Sequence, residues 1–312
     1  MIKTALIAIG GNSLITDKNH SDIPHQWDAV RETCRHLADM IDAGWRLIIT
    51  HGNGPQVGFI LRRGELAANE VHTTPLDLIV ADTQGSIGYM LQQGLKNELR
   101  KRGKKAKVVT VVTQMLVNAD DPAFQNPTKP IGSFMDEATA QSFAAEGWDV
   151  VEDAGRGWRR VVASPKPFRA VELDSIKDLI SADNIVIVSG GGGIPVVADD
   201  AGNLSGVNAV IDKDFGGAMI AREMAVDLFL ISTGVEKIAI NFGKPTQKDL
   251  DQISVNDLTA LIPEGHFAPG SMLPKVQAVA DFVSKAGKPA VITDPSNIAR
   301  ALKKEAGTWI TP

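Results

Sequence analysis

The sequence predicts an α/β fold on an open, mainly parallel sheet, and three observations predict it. Lys3 to Ile9, Arg46 to Thr50 and Ile185 to Val188 are short apolar runs rich in β-branched residues, as in strands buried on both faces. Each leads into a glycine loop: Gly10-Gly11-Asn12-Ser13, His51-Gly52-Asn53-Gly54-Pro55, and Gly190 to Gly193 before Pro195. Segments of helical spacing separate the runs, the alternation that builds βαβ units. In such a sheet ligands bind outside the carboxyl ends of the strands. Glycine loops meeting there bring backbone amides close to a ligand and predict a site for an anion.

The elements follow in order. Gln26 to Ala43 reads as a helix with Val30, Cys34, Leu37, Met40 and Ile41 on one face and Gly44 as its stop. Pro55 suits the first position of the next helix, with the amides of Gln56 and Val57 aimed at the loop. Leu76 to Arg102 is a long helix; Gly85 and Gly88 inside it suggest close packing, with a partner subunit as one option. The cluster from Arg100 to Lys107 reads as a solvated helix end. Lys107 to Thr113 is a strand. Asn118 to Arg169 breaks the rhythm with proline, glycine and charge, and reads as a loop-rich lid or arm. Within it Lys129 stands between Pro127 and Pro130, which restrict its backbone. Glu172 to Ser181 is a helix, Asp199 to Asn203 a turn, and a helix runs to Met224 after Ala209 to Gly217. Strands are predicted at Leu228 to Ile231, Lys237 to Ile240, Ala290 to Thr293 and Thr308 to Thr311. Helices are predicted at Asn256 to Leu261 and Val276 to Ala286.

Composition excludes several classes. The 312 residues, 44% apolar, suffice for one large domain or two lobes. A formal charge of −5 and a single tyrosine, Tyr89, argue against nucleic acid and anionic membranes. One cysteine, Cys34, rules out an internal disulfide or a cysteine zinc cluster and reads as a small helix-face residue. The N-terminal apolar run is too short for a signal or a membrane span, which predicts a soluble, cytoplasmic protein.

The chemistry is read by what is present. GNGPQVG has its last glycine one place too far along for the dinucleotide fingerprint, and the P-loop, the protein-kinase set, paired metal-ligand spacings and G-x-S-x-G are absent. His51 would serve as a base or hold its loop by a hydrogen bond. What remains is glycine loops plus three lysines in constrained positions, Lys129, Lys213 and Lys275. Phosphoryl transfer needs that set: amides and cations around a charged, in-line transition state.

The strings GGN at 10–12, HGNGPQVG at 51–58, TQGSIGY at 83–89 and NPTKPIG at 126–132 resemble carbamate kinase. So do EDAGRGWRRVVASPKP at 152–167, GGGGIPVV at 190–197, AVIDKDF at 209–215, INFGKP at 240–245 and GHFAPGSMLPK at 265–275. The wider group is the amino-acid-kinase superfamily. The resemblance implies a three-layer αβα sandwich around a mainly parallel eight-stranded sheet, with a small protruding subdomain, in a homodimer. It implies a single domain over 1–312. Within it, 1–225 would be the carbamate and phosphoryl lobe carrying the arm 118–169, and 226–312 the nucleotide lobe. It implies reversible phosphoryl transfer between ATP and carbamate to give ADP and carbamoyl phosphate, with Mg²⁺ held mainly through nucleotide phosphates. The direction in cells would be toward ATP, from carbamoyl phosphate released from a ureido compound.

Roles are implied by the matching motifs. Gly10, Gly11, Gly52 and Gly54 would offer N–H groups to the phosphoryl and to carbamate, with Asn12 and Asn53 as side-chain donors. Many relatives carry a lysine where Asn12 stands, and Lys129 from the arm would supply that charge. Lys213 and Lys275 would neutralise the phosphoryl, with Asp214 holding the lysines or capping a helix before Phe215. Gly191, Gly192 and Gly193 would line the carbamate pocket, and Thr233, Gly234, Phe242, Met272 and Pro274 would border the nucleotide. No residue is assigned to a metal. Arg156, Arg159, Arg160 and Lys166 would brace the arm or steer anions. The alternatives are another small-acid kinase of the same fold and a non-catalytic nucleotide-binding relative, which would lack one of the three lysines.

Overall fold

The computed structural model describes residues 2–11, 14–15, 20–152 and 157–312. Its centre is an eight-stranded sheet ordered Gln252–Ser254, Thr308–Thr311, Ala290–Thr293, Leu228–Ser232, Thr4–Ile9, Arg46–His51, Asn184–Ile187 and Lys107–Thr110. Every neighbouring pair is parallel except Ala290–Thr293 with Thr308–Thr311. The chain leaves the first strand toward Arg46–His51 and later returns on its other side as Leu228–Ser232. That reversal opens a crevice at the carboxyl end of Thr4–Ile9. Gly10 stands in it, and a Cβ there would lie 2.8 Å from the Ser232 carbonyl oxygen.

The strands bury alternate residues on opposite faces, and each face has its own core. Ala5, Ile7, Ile9, Leu47 and Ile49 pack with Val30, Cys34, Leu37, Ile87, Leu91 and Leu95 from helices Ile23–Asp42 and Leu76–Lys101. Leu6, Ala8, Ile48 and Val186 pack with residues of helices Leu173–Ser181, Lys213–Glu223 and Met272–Ala286. The result is the expected three-layer αβα sandwich.

Several local readings change. Gly88 meets its own chain: a Cβ there would fall 2.3 Å from Thr110 Cγ2 of the edge strand. The basic cluster is an ion-pair network, in which Arg102 reaches Asp39, Asp42 and Glu98, and Lys104 reaches Asp42. Helix Met272–Ala286 starts four residues before the predicted Val276, so Lys275 lies in its first turns instead of a loop. Pro274 misled the reading, although a proline in a first turn removes no helical hydrogen bond.

The arm is more regular than its composition suggests. Strands Lys129–Met135, Val150–Glu152 and Trp158–Val162 form an antiparallel sheet, with helix Glu137–Ala145 against it. Ile131 and Val162 root it in a cluster with Val57, Leu76, Ile79 and Val210. Arg159 donates to the Gly132 carbonyl, and Arg160 lies over the Trp148 ring at 4.3 Å. Both brace the arm. Arg156 lies outside the described residues.

Candidate active site

Helices Lys213–Glu223 and Met272–Ala286 pack side by side, and the Arg222–Asp281 pair at 3.1 Å ties them together. Their N-terminal turns meet at one carboxylate. Asp214 is 1% exposed; its Oδ1 accepts from Lys213 Nζ, and its Oδ2 accepts from Lys275 Nζ at 3.0 Å. Burial by itself would raise the Asp214 pKa, but the two ammonium groups outweigh it and hold the carboxyl below the usual range. Burial also pulls the Lys213 pKa below that of an ordinary lysine, with Asp214 opposing and Lys275 adding to the fall.

The helix cap is not Asp214, as one reading of the sequence had it. Asp212 is the N-cap, its Oδ1 accepting from the Asp214 N–H at 2.9 Å. Asp212 Oδ2 accepts from Lys129 Nζ at 2.6 Å, so the arm's lysine reaches the same helix start. Three ammonium groups against two carboxylates leave one net positive charge here. Asp212 was missed because a sequence cannot say which aspartate of Asp-Lys-Asp takes the extended cap conformation.

The glycine loops surround this cluster, but packing uses them more than expected. A Cβ on Gly52 would sit 3.4 Å from Lys213 Cδ and 3.8 Å from the Gly11 nitrogen, which places both loops beside Lys213. The Gly52 N–H is not offered to a ligand, because it donates to the Ile9 carbonyl at 3.0 Å. Gly54 is exposed in the first turn of helix Gly54–Leu66, where its N–H has no carbonyl one turn back. The Val57 N–H is already spent on the Asn53 carbonyl. Asn12 lies outside the described residues.

Gly190 to Gly193 are buried. The Gly192 and Gly193 amides donate to Ser189 and Gly190 carbonyls at 2.9 and 3.1 Å, so they too are committed within the chain. Gly191, Gly192 and Gly193 have positive φ. A Cβ on Gly191 would fall 2.1 Å from Asn53 Nδ2, and one on Gly190 2.4 Å from His51 Nε2. Asn53 Nδ2 donates to Thr83 Oγ1 at 2.9 Å. Gln84 ties the loop to its surroundings, donating to the Gly190 and Thr113 carbonyls and accepting from the Thr113 N–H. Thr83 and Gln84 open the TQGSIGY string, a signal present in the sequence but given no role there.

His51 is a structural residue here. Its Nδ1 lies 2.9 Å from the Gly52 carbonyl, which can only accept, so that nitrogen carries the proton. Burial lowers its pKa to about 4, so it is neutral at pH 7 and a poor base. Ser189, Ser232 and Thr293, at or just beyond the carboxyl ends of three strands, bury side-chain hydroxyls that have no hydrogen-bond partner among the described residues. Such orphans mark a place where a polar group from outside can dock.

Of the residues predicted to border the nucleotide, Thr233 and Gly234 follow the strand Leu228–Ser232, with the Thr233 N–H on the Thr293 carbonyl. Met272 and Pro274 share the first turn that precedes Lys275. Phe242, 65% exposed, lies between the short strands Ala239–Ile240 and Lys248–Asp249. Among the described residues no group of three His, Cys, Asp or Glu is arranged to hold a metal ion, and Asp212 and Asp214 are both engaged by lysines.

An αβα sheet that gathers buried ammonium groups and glycine loops at its carboxyl edge defines a protein built to hold anions. A family model described as the amino acid kinase family matches residues 3–294, and the chain belongs to that family. It is 47% identical over 315 residues to the carbamate kinase of Pyrococcus furiosus, covering 100% of each chain. It is 49% identical over 314 residues to an Escherichia coli protein named carbamate kinase-like protein YahI, covering 99% of each. The solved structure of carbamate kinase from Giardia lamblia bound to AMP-PNP superposes with a TM-score of 0.92 at 41% identity, covering 99% of this chain and 98% of that one.

Proposed function

We propose that this chain is a carbamate kinase, transferring a phosphoryl group reversibly between ATP and carbamate to give ADP and carbamoyl phosphate. The observation that carries the reading is the meeting of Lys213 and Lys275 on buried Asp214, beside the Gly11 and Gly52 loops. Full-length similarity to proteins of that name supports it.

The chemistry asks for little beyond this. A carbamate oxygen forms the new P–O bond as the bond to the ADP oxygen breaks, and no proton changes hands. Carbamate is already an anion, so a site without a general base suits it, and neutral His51 is consistent. Lys213 and Lys275 neutralise the oxygens of the migrating group, and Asp214 holds both ammonium groups in place beforehand, so little reorganisation is needed. Lys129 meets carbamate from the arm. Gly10, Gly11, Gly54 and Asn53 surround the phosphoryl, Gly52 gives room beside Lys213, and Gly191 to Gly193 shape the acceptor side. Thr233, Gly234, Phe242, Met272 and Pro274 border the nucleotide, with the exposed Phe242 ring as a flat apolar surface for the base. Magnesium enters with the nucleotide and neutralises its phosphates.

In this reading residues 1–225 with the arm 118–169 hold acceptor and phosphoryl, and 226–312 hold the nucleotide. The protein works in the cytoplasm, in the direction of ATP; no helix among the described residues is long and apolar enough to cross a membrane. It acts as a homodimer. Ile23, Leu78 and Tyr89 are each more than half exposed on helices Ile23–Asp42 and Leu76–Lys101. Trp27 touches Tyr89 edge to face at 5.7 Å. An apolar stripe of this kind suits a partner copy.

The test is ATP formation by purified protein from ADP, Mg²⁺ and carbamoyl phosphate, with acetyl phosphate alongside. Fast turnover of carbamoyl phosphate and slow turnover of acetyl phosphate is expected. A preference for acetyl phosphate would favour another small-acid kinase, a reading kept by the similarity to a protein named only carbamate kinase-like. No ATP from either would refute phosphoryl transfer.

A further inference from the structure

We propose that Asp212 is a positioning residue for Lys129, fixing the arm's ammonium group against the helix start that carries the other two lysines. This rests on the carbamate kinase reading. A lysine has a flexible four-carbon stem, so a backbone held in place does not place its charge. Lys129 has such a backbone: it opens the strand Lys129–Met135, pairs with Val162 and precedes Pro130. What remains is an acceptor for Nζ, and Asp212 supplies it at 2.6 Å.

The acceptor is itself held rigidly. Asp212 Oδ1 is occupied by the Asp214 N–H, and the Asp212 carbonyl accepts from Gly216 N at 3.0 Å. Its side chain is 11% exposed and that of Lys129 28%, so water competes weakly for the pair. The residue before Ile211, Val210, packs with Ile131 and Val162 of the arm root, which keeps the two partners in register. One carboxylate therefore faces two ways. Oδ1 sets the helix that presents Lys213 and Asp214, and Oδ2 sets the arm's cation beside them. A cap alone does not need the charge, because asparagine caps as well as aspartate. The negative charge also favours the nearby Lys213 ammonium through space, but the direct ion pair it makes is with Lys129.

Asp212→Asn separates the two roles, because it keeps an Oδ1 acceptor for the cap and loses the anion. The expected result is a KM for carbamoyl phosphate raised about ten-fold, the worth of one charge-assisted hydrogen bond, with kcat and the KM for ADP close to those of the unaltered protein. In a double-mutant cycle, Asp212→Asn on a Lys129→Ala background should add nothing. An unchanged KM in Asp212→Asn, or effects that multiply in the double variant, would overturn the proposal.

A second readout does not depend on turnover. Hydrogen exchange at the amides of Lys129 and residues 131–135 in the ligand-free protein should quicken in Asp212→Asn and equally in Lys129→Met. Unchanged exchange in both would also overturn it. If the unaltered protein makes no ATP from carbamoyl phosphate, the functional reading fails, and the exchange measurement still decides on Asp212.

Discussion

Asp214→Asn removes one negative charge from between two buried ammonium groups without opening a cavity. The side chains of Lys213, Lys275 and Asp214 are 13%, 16% and 2% exposed, so the charges left behind find little water. Removing one partner of a buried ion pair costs about 3–5 kcal/mol, and here a single deletion strips two ammonium groups of their counter-charge. Urea unfolding at pH 7 should show a loss of about that size, with an unchanged slope. The sign with pH follows from the depressed Asp214 pKa: its stabilisation is present above the ordinary carboxyl range and is lost as pH falls through its folded value. The deficit of the variant is therefore full at neutral pH and shrinks in acid. Asp214 also opposes the burial that lowers the Lys213 pKa, so without it Lys213 loses its proton at lower pH. The alkaline limb of kcat should move to lower pH accordingly. A variant that unfolds at the same urea concentration as the unaltered protein and keeps its alkaline limb would refute the reasoning.

Further outcomes test other parts of the molecule. Lys213→Ala and Lys275→Ala should each lower kcat by more than they weaken ATP binding, and an unchanged kcat in both would remove the proposed mechanism. Gly191→Ala puts a methyl 2.1 Å from Asn53 Nδ2 at φ 68°. Left-handed strain and the lost Asn53–Thr83 bond together should destabilise by about 2–3 kcal/mol, measured by denaturation. His51, held near pKa 4 by burial, contributes stability that is full above pH 6.5 and is lost as pH falls toward 4. A shift of that size amounts to about 3 kcal/mol, so His51→Gln should flatten the acid slope of stability by about as much. Cys34 is buried with its thiol pushed up to about 12, so thiol-directed reagents at pH 8 should leave activity intact and label only unfolded protein, which a mass measurement reads.

The strands of the central sheet were legible because both faces of each are apolar over consecutive residues, as in Ala5 to Ile9 and Leu228 to Ile231. The long helices were legible from their spacing and stops, Gly44 with φ 89° among them. The arm was legible as an interruption but not as a sheet, because its strands are short, charged and half exposed. The start of helix Met272–Ala286 was hidden behind Pro269-Gly270 and Pro274, since local composition cannot separate a proline in a first turn from one in a loop.

The chain order of strand, glycine loop and helix was enough to set the fold class and the edge of the sheet where the glycine loops gather, because burial on two faces and backbone freedom are written residue by residue. The three lysines could be named for the same reason. Asp214 as their holder was implied by the resemblance to carbamate kinase alone. The remaining partners could not be named: that Asp212 takes the third ammonium group and that Gly191 makes room for Asn53 join residues far apart along the chain. Such pairings arise only once packing has brought distant side chains together and expelled the water that would otherwise satisfy each of them separately.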